Sequence, residues 1–446
     1  MCDLMVALPD ATKSGNVIFG KNSDRPAREC QVLHYSPGGR KEIQQQIDCS
    51  YITLSQTEKT LSVFGCRPYW CWGYETGMNE AGVMGGNAAI YTRSFWLPEN
   101  REKAGLTGMD LLRLGLERGN AAERVVDIIT QFLEEYGQWG SAVQGKDHEN
   151  GSYENSFLIA DPNEAWVLET TGKRWIAEKI TRGVRAISNE PTIRNNRTKS
   201  SQDIEQFALN NGWWNKSNDD FDFAYAYGDH EHYSRQVSHI RLQRSSQLLQ
   251  QNFRKIDIQT IMTILRDHYE DTFLNGPQFH PFLPDFLTLC MHDSPAKFTW
   301  GNTATSVVVE LDKNQDAPPP FWLSYLSPCS SIYLPFYLNV QVPEQVTNTG
   351  EVEMNVYRPE EAPKDEFDPN SLWWQLNRVL EEISKDPHKR QNEARKKFDT
   401  LENDFISTVR AKNREMSFAE KSEMMENAVS KVLQGIKSLE KNWNVA

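Results

Sequence analysis

No stretch of this 446-residue chain approaches 18 consecutive apolar residues, so no segment reads as a membrane-spanning helix. The first residues lack the basic segment and apolar run of a secretory signal, and a soluble, cytoplasmic protein is the expectation. Positive charge is in deficit. Against 61 Asp and Glu there are 48 Lys and Arg, a net charge of −13, which repels phosphate backbones and disfavours nucleic acid as a partner. Cysteine is sparse and odd in number: Cys2, Cys30, Cys49, Cys66, Cys71, Cys290 and Cys329. That argues against a disulfide-stapled secreted domain. The close pair Cys66-Arg-Pro-Tyr-Trp-Cys71 has neither the gap nor the matching second pair of a zinc site, so buried thiols are expected there. Repeats and low-complexity tracts are missing too. Aromatic side chains are plentiful, with 13 Trp, 15 Tyr and 20 Phe, enough to bury a large core and exclude wholesale disorder.

The first 100 residues read as strands and turns. Leu4–Leu8 and Val17–Phe19 are apolar runs separated by Pro9 and the Gly15-Asn16 turn, a hairpin signal. Gly77–Gly82 is a turn before the strand-like Val83–Ile90. Helices follow, with Thr107-Gly-Met-Asp110 and Asn120-Ala-Ala-Glu123 placed to cap them, the second running through Val125, Ile129 and Leu133 to Gly137. Strands return at 156–160, 165–169, 185–188 and 306–311, with helical pattern over about 235–268. Runs of strands set apart from runs of helices predict an α+β fold, stacked sheets covered by helices. A domain over 1–342 is expected, then a connecting segment over 343–370 marked by Pro359, Pro363 and Pro369 among acids. Helices are expected over 371–446, opened in part by the capping box Ser417-Phe-Ala-Glu420 and packed on the domain.

Cys2 follows the initiator, and methionine is removed when the next side chain is small. The mature chain would carry a thiol and a free α-amine on one residue, with reference pKa values of about 8.5 and about 7.7–8.0. The amine can then serve as base for its own nucleophile. The plainer alternative is a buried terminal cysteine. In Phe19-Gly-Lys-Asn-Ser-Asp-Arg-Pro26, Asp24 is placed to accept a hydrogen bond from the ammonium, and Lys21, with Arg25 as a second candidate, favours thiolate. A solvated charged turn is the competing reading. Asn87 in Gly85-Gly-Asn-Ala-Ala89 and Asn189 in Ile187-Ser-Asn-Glu-Pro191 end strands, where amides either face an oxyanion or cap turns.

The opening Cys2-Asp-Leu-Met-Val-Ala-Leu-Pro-Asp-Ala-Thr12 and Phe19–Pro26 resemble the secernin and dipeptidase A family of N-terminal-nucleophile hydrolases. In order, so do Gly77–Val83, Asn155–Asp161, Glu164–Thr170, Ala186–Asn189, Phe221–Phe223, Ile264–His268, Thr303–Ser306, Pro328–Ser331 and Ser371–Trp374, a likeness covering roughly 2–375. The resemblance implies a four-layer αββα sandwich of two antiparallel sheets with a helical C-terminal extension. It implies hydrolysis of dipeptides or short peptides through a thioester on Cys2, with no metal and no organic cofactor. By likeness to the more distant penicillin V acylases and bile salt hydrolases, Asp24 matches the amine-holding aspartate and Asn87 and Asn189 the oxyanion and substrate-orienting asparagines. Lys21 stands where those relatives have arginine, which keeps the charge but loses the planar fork. A final arginine is expected in Ser234–Arg241, with Arg235 chosen and Arg241 the alternative.

Two other readings share these residues. One is a catalytically silent secernin-like adaptor that uses its charged helical tail, about 371–442, as a contact surface. The other is an acyltransferase using the same site. The partner expected is a small peptide substrate, with no membrane insertion and with self-association as a family trait. Asp229-His-Glu-His232 with His239 reads as a polar loop before a helix rather than a metal site. Cys290 and His292 near Trp300 read as packing or pocket lining, and the Asn-x-Ser/Thr patterns at Asn150, Asn196 and Asn215 as irrelevant without secretion.

Overall fold

The apolar runs at the start of the chain form β1 (Cys2–Ala7) and β2 (Val17–Pro26), an antiparallel pair with Cys2 opposite Ser23 and Leu4 opposite Lys21. All of β1 and all but the last residue of β2 are buried. Strands covered on both faces read as continuous rather than alternating hydrophobic runs. This computed structural model describes residues 1–42, 45–100, 103–215, 220–274, 286–294, 299, 301–314 and 317–445.

The chain continues through β3 (Gln31–Ser36), β4 (Val63–Pro68), β5 (Thr76–Asn79), β6 (Met84–Ile90), α1 (Gly108–Arg118) and α2 (Ala122–Tyr136). It then makes β7 (Glu154–Ala160), β8 (Ala165–Thr171), β9 (Arg174–Ile180), β10 (Val184–Ile187), β11 (Lys199–Ser200), α3 (His239–Gln251) and α4 (Ile258–Leu265). After these come β12 (Gly301–Leu311), β13 (Phe321–Tyr325) and β14 (Leu334–Phe336), then α5 (Leu372–Lys385), α6 (Pro387–Lys412) and α7 (Phe418–Asn442). Among the described residues, beside two small two-stranded sheets, one large sheet has the order β10-β1-β2-β12-β13-β14 and the other β11-β9-β8-β7-β6-β5-β4-β3. Every pairing in both is antiparallel. The sheets face one another through β1, β2 and β6. Helices α3 and α4 cover the outer side of the first, and α1 and α2 that of the second. The architecture is therefore αββα, as expected.

Local chemistry explains the helix starts. Thr107 and Asp110 form a full capping box on α1. Asn120 does not cap α2: Ala121 stands at that position, and the buried Ala122 N–H is satisfied instead by Asp161 Oδ2 at 2.9 Å. A side chain from the β7–β8 turn thus does what the sequence assigned to a neighbour. Ser417 and Glu420 form the box on α7.

The segment over 343–370 is mostly irregular, with a short helix at Glu344–Thr347 and a 3₁₀ turn at Pro359–Glu361. Helices α6 and α7 lie against β14 and each other. Trp373 and Trp374 of α5 are fully buried and donate to backbone carbonyls of Ala304 and Thr349, joining this region to the same core as the sheets. One close approach positions the site. A Cβ on Gly86 of β6 would lie 2.7 Å from Lys21 Cδ and 2.9 Å from Leu4 Cδ2, so glycine lets the second sheet close onto the lysine.

Candidate active site

A cavity of about 780 Å³ opens where the N-terminal end of β1 meets β6 and the end of β10. Cys2, Asp24, Asn87 and Asn189 all line it, and Cys2 is 7% exposed. The sheet pairing brings them together. Asp24 sits on β2 just past Ser23, the partner of Cys2; Asn189 follows β10, which pairs with β1. Asn87 comes from the facing sheet.

The Cys2 backbone N–H donates to Asn189 Oδ1 at 3.0 Å. Asn189 is fixed from both ends: Arg241 Nη2 donates to the same oxygen at 2.7 Å, and its own Nδ2 donates to Ala89 O at 2.7 Å. Met1 extends the β1–β2 ladder. Its ammonium donates to Asp24 O at 3.1 Å and its carbonyl accepts from Asp24 N at 2.8 Å. The Cys2 nitrogen is thus an amide while Met1 is attached, and the group it meets is the Asn189 amide oxygen rather than the Asp24 carboxylate. Asn87 Nδ2 donates one hydrogen to Asn155 Oδ1 at 3.0 Å and has a second free to point elsewhere. Asn155 is in turn held by Gln138 at 2.9 Å. The Asn87 amide is therefore oriented before any ligand arrives.

Burial dominates the electrostatics. It pushes the Cys2 thiol up, against the pull of Lys21 and then the N-terminal ammonium, so the resting sulfur is a thiol that needs a base. The same burial pulls the Met1 ammonium below its ordinary value, so this environment favours the neutral form of an amine. Lys21 is pulled down by burial too, opposed by Cys2 and Glu75, and its Nζ donates to Glu75 O. The favouring of thiolate assigned to Lys21 is present, but burial outweighs it. Arg25 is committed elsewhere, paired with Glu29 and 3.4 Å from Glu75.

Asp24 Oδ1 accepts from Thr303 Oγ1 at 2.8 Å, while Oδ2 accepts no hydrogen bond and lies 3.9 Å from Arg241 Nη1. Burial pushes this carboxyl up to about 7, against the N-terminal ammonium and Arg241. The folded chain therefore keeps a proton between the ordinary 3.8 and about 7 that the unfolded chain has lost, and stability from this group falls as pH rises through that window. Asp24→Asn, which cannot ionise, should gain on the parent as pH rises from 3.8 to 7. Urea midpoints of both proteins across the window check this, and a constant difference contradicts it.

The arginine of the buried network is Arg241, not Arg235. Arg241 is fully buried, pairs with Asp3 and reaches Cys2 O at 3.4 Å as well as Asn189. Arg235 lies in a short helical turn at the cavity rim, its side chain 60% exposed and 3.8 Å from Glu190. The buried residues of α3 are Arg241, Leu242, Ser245 and Leu249; Arg235, seven residues before Leu242, shares their helical spacing but lies outside α3 in the preceding turn, so the helix start separates the two arginines. Asn155 and Thr303 also belong to the site's support, and no spacing along the chain announces them because each arrives by cross-strand or long-range contact, while Asp3 adjoins Cys2 and is tied in by Arg241. Asp229 spends its carboxylate on Trp96 and on the N–H groups of Glu231 and His232, a capped loop, while His239 pairs with Glu190. Cys290 and His292 lie outside the cavity lining; Trp300 falls outside the described residues.

Among the described residues, no helix is long and apolar enough to cross a membrane. The profile of Peptidase family C69 matches residues 62–400, a stretch that takes in Asn87, Asn189 and Arg241 and leaves out Cys2, Lys21 and Asp24. Among solved structures, a mutant conjugated bile acid hydrolase from Clostridium perfringens aligns at 13% identity with TM-score 0.40, covering 73% of this chain and 89% of that one. The N-acylethanolamine-hydrolyzing acid amidase ortholog of Caenorhabditis elegans aligns at 12% identity with TM-score 0.35, covering 69% and 92%.

Proposed function

The chain belongs to peptidase family C69, and from that membership we propose that it is a cysteine amidohydrolase cleaving dipeptides or short peptides through a thioester on Cys2. The observation that carries the proposal is the Cys2 nitrogen held at 3.0 Å by an Asn189 oxygen that Arg241 fixes in turn, at the floor of a cavity large enough for a small substrate. Removal of Met1 turns that nitrogen into an amine already oriented beside its own thiol.

In this reading the neutral amine takes the Cys2 thiol proton as Sγ attacks the scissile carbonyl carbon. The carbonyl oxygen takes up the electron pair and is met by the free hydrogen of Asn87 Nδ2. As the tetrahedral species collapses, the C–N bond breaks and the ammonium returns its proton to the leaving amine. Water then adds to the thioester with the same amine as base, and the acid leaves as the thiol is restored. Asn189 and Arg241 orient the amine, and Lys21 and Asp24 set the charge around it.

Asn87→Ala should lower kcat by about 10²–10³-fold with a smaller change in KM, because the lost donor acts on charge that develops only in the transition state. A fall in affinity alone would reassign Asn87 to ground-state binding. The function itself is tested by incubating the purified protein with a dipeptide panel and assaying the released amino acids. Release that titrates with enzyme supports the reading, and no release from any dipeptide or tripeptide by protein shown to lack Met1 would overturn it.

A further inference from the structure

Away from the cavity, four metal-ligating side chains converge from separate parts of the chain. His268 follows the C-terminus of α4, Cys290 and His292 lie ahead of β12, and Cys329 sits in the turn after β13. All four are buried, and their ligand atoms lie within 4.8 Å of one another. His268 Nε2 is 3.2 Å from His292 Nε2, which is 3.7 Å from Cys290 Sγ and 3.2 Å from Cys329 Sγ.

These spacings, all measured from His292 Nε2, are the three edges that meet at one corner of a small tetrahedron. Zinc bonds of about 2.0–2.1 Å to nitrogen and about 2.3 Å to sulfur give N···N edges of about 3.3 Å and N···S edges of about 3.6 Å. Two Nε2 atoms facing each other can share only one proton, whereas a cation accepts a lone pair from each. We propose that His268, Cys290, His292 and Cys329 hold one zinc ion in a closed, structural Cys₂His₂ site. Two thiolates and two imidazoles in a tetrahedron suit zinc, and four protein ligands leave no open position for catalysis.

The surroundings fit metal ligation. His268 Nδ1 lies 3.1 Å from Glu270 Oε1, which directs a ring N–H outward and leaves Nε2 for the metal. Gln391 of α6 donates to Cys329 Sγ at 3.4 Å, and Arg395 holds the same turn through the carbonyls of Pro328 and Ser331. Between Cys290 and His292, Met291 donates to Thr303 Oγ1 at 2.9 Å, and that hydroxyl donates to Asp24. The ion would therefore staple three loops beneath α6 and steady the segment that orients Asp24. The inference does not rest on the hydrolase reading.

The test uses the full chain, freed of any affinity tag and kept reduced. Elemental analysis should find about one zinc per chain after dialysis. Exchange for cobalt(II) should give sulfur-to-metal charge-transfer absorption with the strong visible bands of a tetrahedral ion. Cys329→Ser and His268→Gln should each lower retained metal at least about tenfold, while Asp229→Asn keeps it. The cobalt spectrum of the parent reads thiolate ligation even if a variant fails to fold. No zinc as purified and no thiolate–cobalt band after loading would overturn the site, as would a metal that folded ligand variants retain in full.

Discussion

Cys2→Ala is expected to abolish peptide hydrolysis, a loss on the order of 10⁶-fold in kcat, the scale seen when a nucleophile is removed from a preorganised site. The fold should survive. Alanine is as permissive as cysteine for removal of Met1, the Cys2 backbone contact to Asn189 does not involve the side chain, and Lys21 keeps its bond to Glu75 O. What remains is an oriented amine and oxyanion donor with nothing to attack the carbonyl. Among the described residues no other cysteine lines the cavity, so a rate within tenfold of the parent would mean that the chemistry does not run through a thiol there. The readout is steady-state hydrolysis of the best dipeptide, with circular dichroism of the variant as the control on folding.

The second large effect separates the two arginines. Arg241→Ala would leave Asp3 without its buried ion pair, Asp24 without its nearest guanidinium and the Asn189 oxygen without its second donor. Stripping one partner from a buried pair costs about 3–5 kcal/mol because the remaining charge stays desolvated. The urea midpoint should fall accordingly and hydrolysis should be lost with it. Arg235→Ala removes an exposed side chain whose carboxylate neighbour is 3.8 Å away, and such changes stay within about 0.5 kcal/mol. Its effect should be confined to KM, since it stands at the rim where a substrate enters. Equal destabilisation by both substitutions would contradict the network described around Cys2.

The N-terminal hairpin was legible because two apolar runs joined by a proline and a Gly-Asn turn leave few alternatives, and it alone places Asp24 next to the residue facing Cys2. Asn87 and Asn189 were legible as amides at strand ends, but not which end of each amide faces the chemistry. That depends on Asn155, Ala89 and Arg241, all distant in sequence. The resemblance points to an arginine in Ser234–Arg241, and the sequence leaves the helix start there open. Once α3 begins at His239, the buried stripe selects Arg241. The cap at Ala122 depends on Asp161, which no local pattern foretells. The cluster of His268, Cys290, His292 and Cys329 spans three loops with no metal-motif spacing, whereas Asp229-His-Glu-His232 looks denser in the sequence and folds into a self-satisfied loop.

Everything proposed for Cys2 depends on its amine being free. The most direct measurement is the intact mass of the purified protein before and after brief exposure to a thiol-selective reagent near neutral pH, with the labelled site mapped. The account predicts a mass short by one methionine and a single fast adduct on Cys2, the other cysteines being buried away from the cavity. Retention of Met1 in protein from its native host, with Cys2 no faster than the buried thiols, would contradict it.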